Sequence, residues 1–170
     1  MAQLSQDTHR FKGVVQKLKR VFAAILTLVL LLALTACGDK NVTIDTAALE
    51  SDVNGAGLFV DTLVKLSDAT IGGQVETDVS GCTSKVYYAG MGATAEEWGV
   101  FECASAKDAK ALKTALETHR DNLLTTYSSY APDAVPRIQN AVIRQKGQYV
   151  LFITAEKYDD AAKIADKYFS

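Results

Sequence analysis

The sequence predicts an α+β domain: a four-stranded, mainly antiparallel sheet of two hairpins, covered by a long amphipathic helix and a C-terminal helix. Three observations predict it. Two strand-like pairs, residues 82–89 with Glu97–Cys103 and residues 141–145 with 148–154, are each joined across a glycine turn. Between them, Ala109, Leu112, Leu116, His119, Leu123 and Tyr127 recur at three- and four-residue steps, one buried stripe of a helix. Tyr158, Ala161, Ala162, Ala165, Tyr168 and Phe169 repeat that spacing at the end of the chain. Helices on one face of the sheet satisfy this order.

Taken in turn, residues 46–53 form a short helix that stops at Asn54-Gly55-Ala56-Gly57. Residues 58–66 fit both a two-residue and a helical period, so their type stays open. Residues 69–80 are expected to be irregular because of Gly72-Gly73. The first hairpin is rich in Val, Tyr, Phe and Trp and turns through Gly90-Met91-Gly92. The long helix spans about 106–127, with Ser105 as N-cap and Asp108 completing a capping-box-like pair. It yields before Pro132, since the residue preceding a proline avoids the helical region. Lys146-Gly147 turns the second hairpin, and Tyr149 to Ile153 is apolar on both faces, the mark of an interior strand.

The N-terminus carries a different message. Arg10, Lys12, Lys17, Lys19 and Arg20 precede about fourteen apolar residues, then Leu34-Thr35-Ala36-Cys37. The apolar run is short for a helix that must cross roughly 30 Å of hydrocarbon. Leu34 is too bulky for an ordinary small-x-small cleavage site. Leu-Thr-Ala-Cys resembles the bacterial lipobox, which implies cleavage after residue 36 and a diacylglyceryl thioether on Cys37. The organisation expected is therefore a signal peptide at 1–36, a tether at 37–44 and a single domain at 45–170. The partner expected first is the cell membrane, through the lipid, on its extracytoplasmic face.

Charge narrows the partners further. Of 18 basic and 20 acidic residues, five and one lie in the signal, leaving 13 against 19, a formal −6. Such a surface is repelled by phosphate backbones, so no nucleic acid partner is expected. A protein or an envelope-derived ligand remains.

Gly-Ala-Thr-Ala-Glu-Glu at 92–97, Tyr130-x-Pro132, Asn140-Ala141-Val142 and Lys146-x-Gln148-Tyr149-Val150, behind a lipobox, resemble a family of Firmicute lipoproteins catalogued as domain of unknown function 4358. The resemblance runs over roughly residues 45–168. It implies a phylum and a location, but no activity and no functional residues.

The chemistry on offer is sparse. Gly90-Met91-Gly92-Ala93-Thr94-Ala95 matches a dinucleotide-binding pattern, but a strand and not a helix is expected after it, so no cofactor is expected. Cys82, Cys103 and His119 lack metal-ligand spacing, so no metal is expected. Glu96 and Glu97 are adjacent on an extended chain and face opposite ways. His119 sits on the apolar stripe, where a packed imidazole is the simpler reading. No catalytic residue is assigned. A binding loop is expected at Gly90, Gly92, Glu97 and Trp98, and a disulfide between Cys82 and Cys103, because a register with Tyr88 opposite Glu97 also pairs the two cysteines. The leading class is a non-enzymatic binding or accessory module. An envelope hydrolase using Glu97 or His119, and a structural subunit of a membrane complex, are the alternatives.

Overall fold

Residues 42–170 are described by a computed structural model, and the signal peptide and lipidation expected at residues 1–37 lie outside them. Helix α1 (Thr46–Gly55) begins at Asp45, whose carboxylate accepts the Ala48 N–H. Strand β1 (Leu63–Lys65) and helix α2 (Asp68–Gln74) follow, then β2 (Cys82–Gly90) and β3 (Glu97–Cys103). Helix α3 (Ala106–Tyr130) leads through a 3₁₀ turn (Pro132–Ala134) and α4 (Val135–Gln139) to β4 (Val142–Lys146), β5 (Tyr149–Thr154) and α5 (Tyr158–Phe169).

The α+β class holds, but the sheet has five strands where four were expected, in the order β1-β2-β3-β5-β4, each pair antiparallel. The additional strand is β1, three residues long, within the stretch whose periodicity was ambiguous. A second correction concerns residues 69–80. Helix α2 occupies their first half despite Gly72-Gly73, because Ile71 and Val75 are both buried beneath the sheet. Gly72 leaves room there: a Cβ would stand 3.1 Å from the Thr77 carbonyl oxygen, closer than an ordinary contact.

The third correction is the placement of the helices. They cover both faces of the sheet, not one. On one face α1 and α5 supply Leu49, Val53, Ala161, Ala165 and Phe169 against Trp98, Val100, Leu151 and Ile153. On the other, α2 and α3 supply Ile71, Ala109, Leu112 and Leu116 against Tyr87, Phe101, Val150 and Phe152. The two-sided apolar pattern of β5 demands this: all six of its residues are buried, and a strand open on one face would alternate.

Helix α3 starts as expected. Ser105 Oγ accepts the Asp108 N–H at 3.1 Å and donates to Asp108 Oδ2 at 2.6 Å. It runs to Tyr130, one turn further than its stripe required, and ends before Pro132.

The sheet has two ends. At one lie the Lys146-Gly147 turn, the cysteines and the start of α3; Val42 packs there, within 3.0 Å of where a Gly147 Cβ would sit. At the other lie the 90–97 turn, residues 57–62 and the start of α5. Among the described residues no helix is long and apolar enough to cross a membrane.

Candidate functional site

The loop end gathers the polar chemistry. The β2–β3 turn carries two glycines for a steric reason. The Asp61 carboxylate lies on it, accepting the Gly92 N–H at 2.9 Å and the Thr94 hydroxyl at 3.0 Å. A Cβ at Gly90 or Gly92 would stand 2.6 or 2.8 Å from Asp61 Oδ2. The Gly92 N–H, then the Thr94 hydroxyl, hold the Asp61 carboxyl below the usual carboxylate range.

Glu96 and Glu97 face opposite ways, as an extended chain requires. Glu96 is 2 % exposed. Its Oε2 accepts the N–H groups of Val60 and Asp61 at 2.9 and 2.7 Å, and its Oε1 accepts the Glu156 N–H at 2.9 Å. One buried carboxylate thus ties the 57–62 segment and the β5–α5 connection to the start of β3. Buried acceptors need such partners, and here the backbone supplies all three.

Glu97 points to the α3 face. Its Oε1 lies 2.5 Å from His119 Nε2, and its Oε2 accepts the Gln74 side-chain amide at 2.8 Å. Both residues of this pair are nearly sealed from solvent, at 3 and 4 % exposure. The Phe152 ring packs on the imidazole with centroids 5.6 Å apart. The Tyr87 hydroxyl is buried beside the same carboxylate, and burial first, then the Glu97 charge, raises its pKa well above the phenol range. Burial and Glu97 raise Tyr127 likewise.

A carboxylate that orients an imidazole is half of a familiar acid–base device. The other half, a ring nitrogen open to substrate, is missing. His119 Nδ1 is buried without a hydrogen-bond partner among the described residues, and none of the four principal cavities has Glu97 or His119 in its wall. The pair therefore braces α3 and α2 against β3.

The sequence-predicted site residues separate in space. Trp98 is wholly buried on the opposite face from Glu97, its ring stacked on Tyr88 at 5.2 Å and its Nε1 donating to Asn54 Oδ1. Glu97 is in the core. Of these four only Gly90 and Gly92 reach the surface, Gly92 held by Asp61 and Gly90 donating to the Glu96 carbonyl.

The expected hairpin register is off by one. Tyr88 pairs with Trp98, not Glu97, and this pairing holds from residue 89 back to 84. The ladder then slips between Cys82 and Ser84, and the slip restores Cys82 opposite Cys103. Their sulfurs are 3.1 Å apart as free thiols.

Sequence reasoning missed a concavity at the loop end. A groove of about 500 Å³ is walled by Arg137, Lys157 and Lys163 with Asp133, Glu156, Asp159 and Asp160. Arg137 Nη1 donates to the Thr94 carbonyl and Nη2 to Glu156, while its Nε is buried without a partner among the described residues. Asp159 and Asp160 were readable as first-turn acids of α5; that they share a groove wall with Arg137 was not.

Residues 77–155 match the model of a family described as domain of unknown function (DUF4358). The matched segment is β2, β3, α3, α4, β4 and β5, and it contains Glu96, Glu97, His119, Arg137 and both core cysteines. No curated protein and no solved structure matches the chain.

Proposed function

We propose that this chain is an extracytoplasmic lipoprotein, anchored through Cys37, whose domain is a non-enzymatic binding or accessory module. The observation that carries the reading is the distribution of its chemistry. The acid–base pair is enclosed in the core, while the open concavity at the loop end is lined with charged side chains of both signs. Such a groove suits a polar, charged segment of a partner protein.

Anchoring gives the groove a direction. Val42 lies five steps along the chain from Cys37, and an extended chain of that length reaches at most about 18 Å. Val42 packs at the turn end, so that end faces the bilayer and the groove faces away. The lipid supplies the membrane contact; two acyl chains anchor stably where one would not.

The test is photo-crosslinking in intact cells from a reactive residue placed at Lys163, in the groove wall, and at Lys110, exposed on α3. A discrete protein adduct from position 163 and none from 110 is expected. No adduct from 163, or the same adducts from both, would sink the proposal.

A further inference from the structure

Two nucleophilic side chains serve neither the groove nor the core pair. Cys82 and Cys103 face each other at the turn end, and the fold has bent to put them there. The β2–β3 ladder pairs Ser84 with Glu102. Continued without a break, it would place Thr83, not Cys82, opposite Cys103. The irregularity between Cys82 and Ser84 takes Thr83 out of the ladder, and its hydroxyl donates to the Glu102 carbonyl at 3.1 Å. Strand side chains alternate, so this one-residue slip also turns Cys82 onto the α3 face, beside Cys103.

The pairing is of the kind that a disulfide can span. The Cys103 N–H donates to Gln148 O, toward β5, so on the β2 side the two cysteines form a non-hydrogen-bonded pair. Cα atoms at such pairs approach to about 4.5 Å, within the range a bridge accepts. The sulfurs are already 3.1 Å apart.

The two thiols differ in access and in charge. Both contribute to the wall of a cavity of about 300 Å³, together with Asp78, Ser80, Asp108 and Leu112. Cys82 is 8 % exposed and Cys103 only 1 %. The Cys103 thiol, then the Lys85 ammonium, favour the Cys82 thiolate against burial and the charges of Asp108 and Asp78. The same contact, with burial, holds the Cys103 proton tightly.

We propose that Cys82 and Cys103 form a reversible dithiol–disulfide site, in which Cys82 exchanges with an incoming small-molecule or protein disulfide through this cavity. The Cys82 thiolate attacks one sulfur of the oxidant, forming a mixed disulfide and releasing one thiolate. Cys103 then loses its proton and attacks the Cys82 sulfur, releasing the second thiolate. Two protein thiols become one disulfide, and the two protons they lose pass to the two released thiolates, so that the oxidant is reduced to two thiols.

Oxidised glutathione is the probe, applied to the full chain in detergent micelles. The products are resolved by peptide after blocking with N-ethylmaleimide, so that any chain whose Cys37 carries no lipid thioether is counted separately. The peptides bearing Cys82 and Cys103 are expected joined and unblocked, and dithiothreitol is expected to restore both thiols. In the reduced, folded protein, limiting N-ethylmaleimide should label Cys82 at least about tenfold faster than Cys103. Cys103→Ser should stop at a glutathione adduct on Cys82. Both cysteines blocked after oxidant treatment, or Cys103 labelled as fast as Cys82 in the wild-type chain, would overturn the proposal without recourse to a variant.

Discussion

His119 Nε2 stands 2.5 Å from Glu97 Oε1, with both side chains almost entirely out of solvent. A pair so placed is costly to break and ambiguous to keep, since removing one partner strands the other in a low-dielectric interior. Glu97→Ala and His119→Ala should each cost about 3 kcal/mol or more of unfolding free energy. Their double variant should cost less than the sum, by about 0.5–3 kcal/mol, the signature of direct contact. His119→Gln, whose amide can still donate to Glu97, should cost nearer 1 kcal/mol. Urea unfolding of the four variants checks this; additive losses would mean that the pair does not act as a brace.

Gly99 and Tyr87 make a second, steric prediction. They are cross-strand partners, and a Cβ on Gly99 would lie 2.2 Å from the Tyr87 ring, so the ring occupies the space that a side chain would need. Tyr87 has nowhere to go: it is wholly buried, packed 5.9 Å from Phe101. Gly99→Ala should therefore lower stability by about 1–3 kcal/mol, although alanine ordinarily favours a strand interior over glycine. In a Tyr87→Ala background the penalty should shrink but not vanish, because the same Cβ would still stand 2.9 Å from the Val86 carbonyl oxygen. Thermal melts of the single and double variants separate the cases.

The parts of this fold legible in the sequence are those specified by local pattern. Ser105 with Asp108 placed the start of α3, and Lys146-Gly147 placed the second turn. Elements held by distant partners were not legible. Helix α2 survives two glycines only because Ile71 is buried under the sheet, and β1 is too short to show a period. The two-sided apolarity of β5 did announce helices on both faces, and the one-face arrangement overlooked it. At the candidate site, Glu97 and His119 were each visible, but not their contact across 22 residues. The cysteine pairing was reached from a register one residue out, because a bulge is invisible to pattern and here cancelled the error.

The lipid reading has its own expected outcome. Cys37→Ser should leave an unprocessed precursor and abolish the diacylated product, since only the thiol accepts the lipid. Mass spectrometry of the mature N-terminus in the unaltered protein should find a modified Cys37. An unmodified residue other than Cys37 at that terminus would defeat the anchor and, with it, the direction assigned to the groove.

Asp61 supplies the last prediction, which has a pH sign. The Gly92 N–H first and the Thr94 hydroxyl second stabilise its ionised form, so the folded pKa lies below the unfolded value of about 3.9. A depressed folded value means that the unfolded chain binds the proton more readily. The stabilisation is therefore fully present above about pH 4–5 and is lost as pH falls through the folded pKa. Asp61 remains in contact with water, which keeps the effect small: Asp61→Ala should cost about 1 kcal/mol at pH 6 and progressively less below pH 4. Gly92→Ala should produce a similar loss by a different route, because its Cβ would stand 2.8 Å from Asp61 Oδ2 and push the carboxylate away. With residue 61 already alanine the obstruction is gone, and adding Gly92→Ala should cost little more. Urea unfolding at pH 6 and pH 3 tests both claims. A Gly92→Ala penalty that is the same with aspartate or alanine at 61 would show that the glycine serves the turn itself and not the carboxylate seated on it.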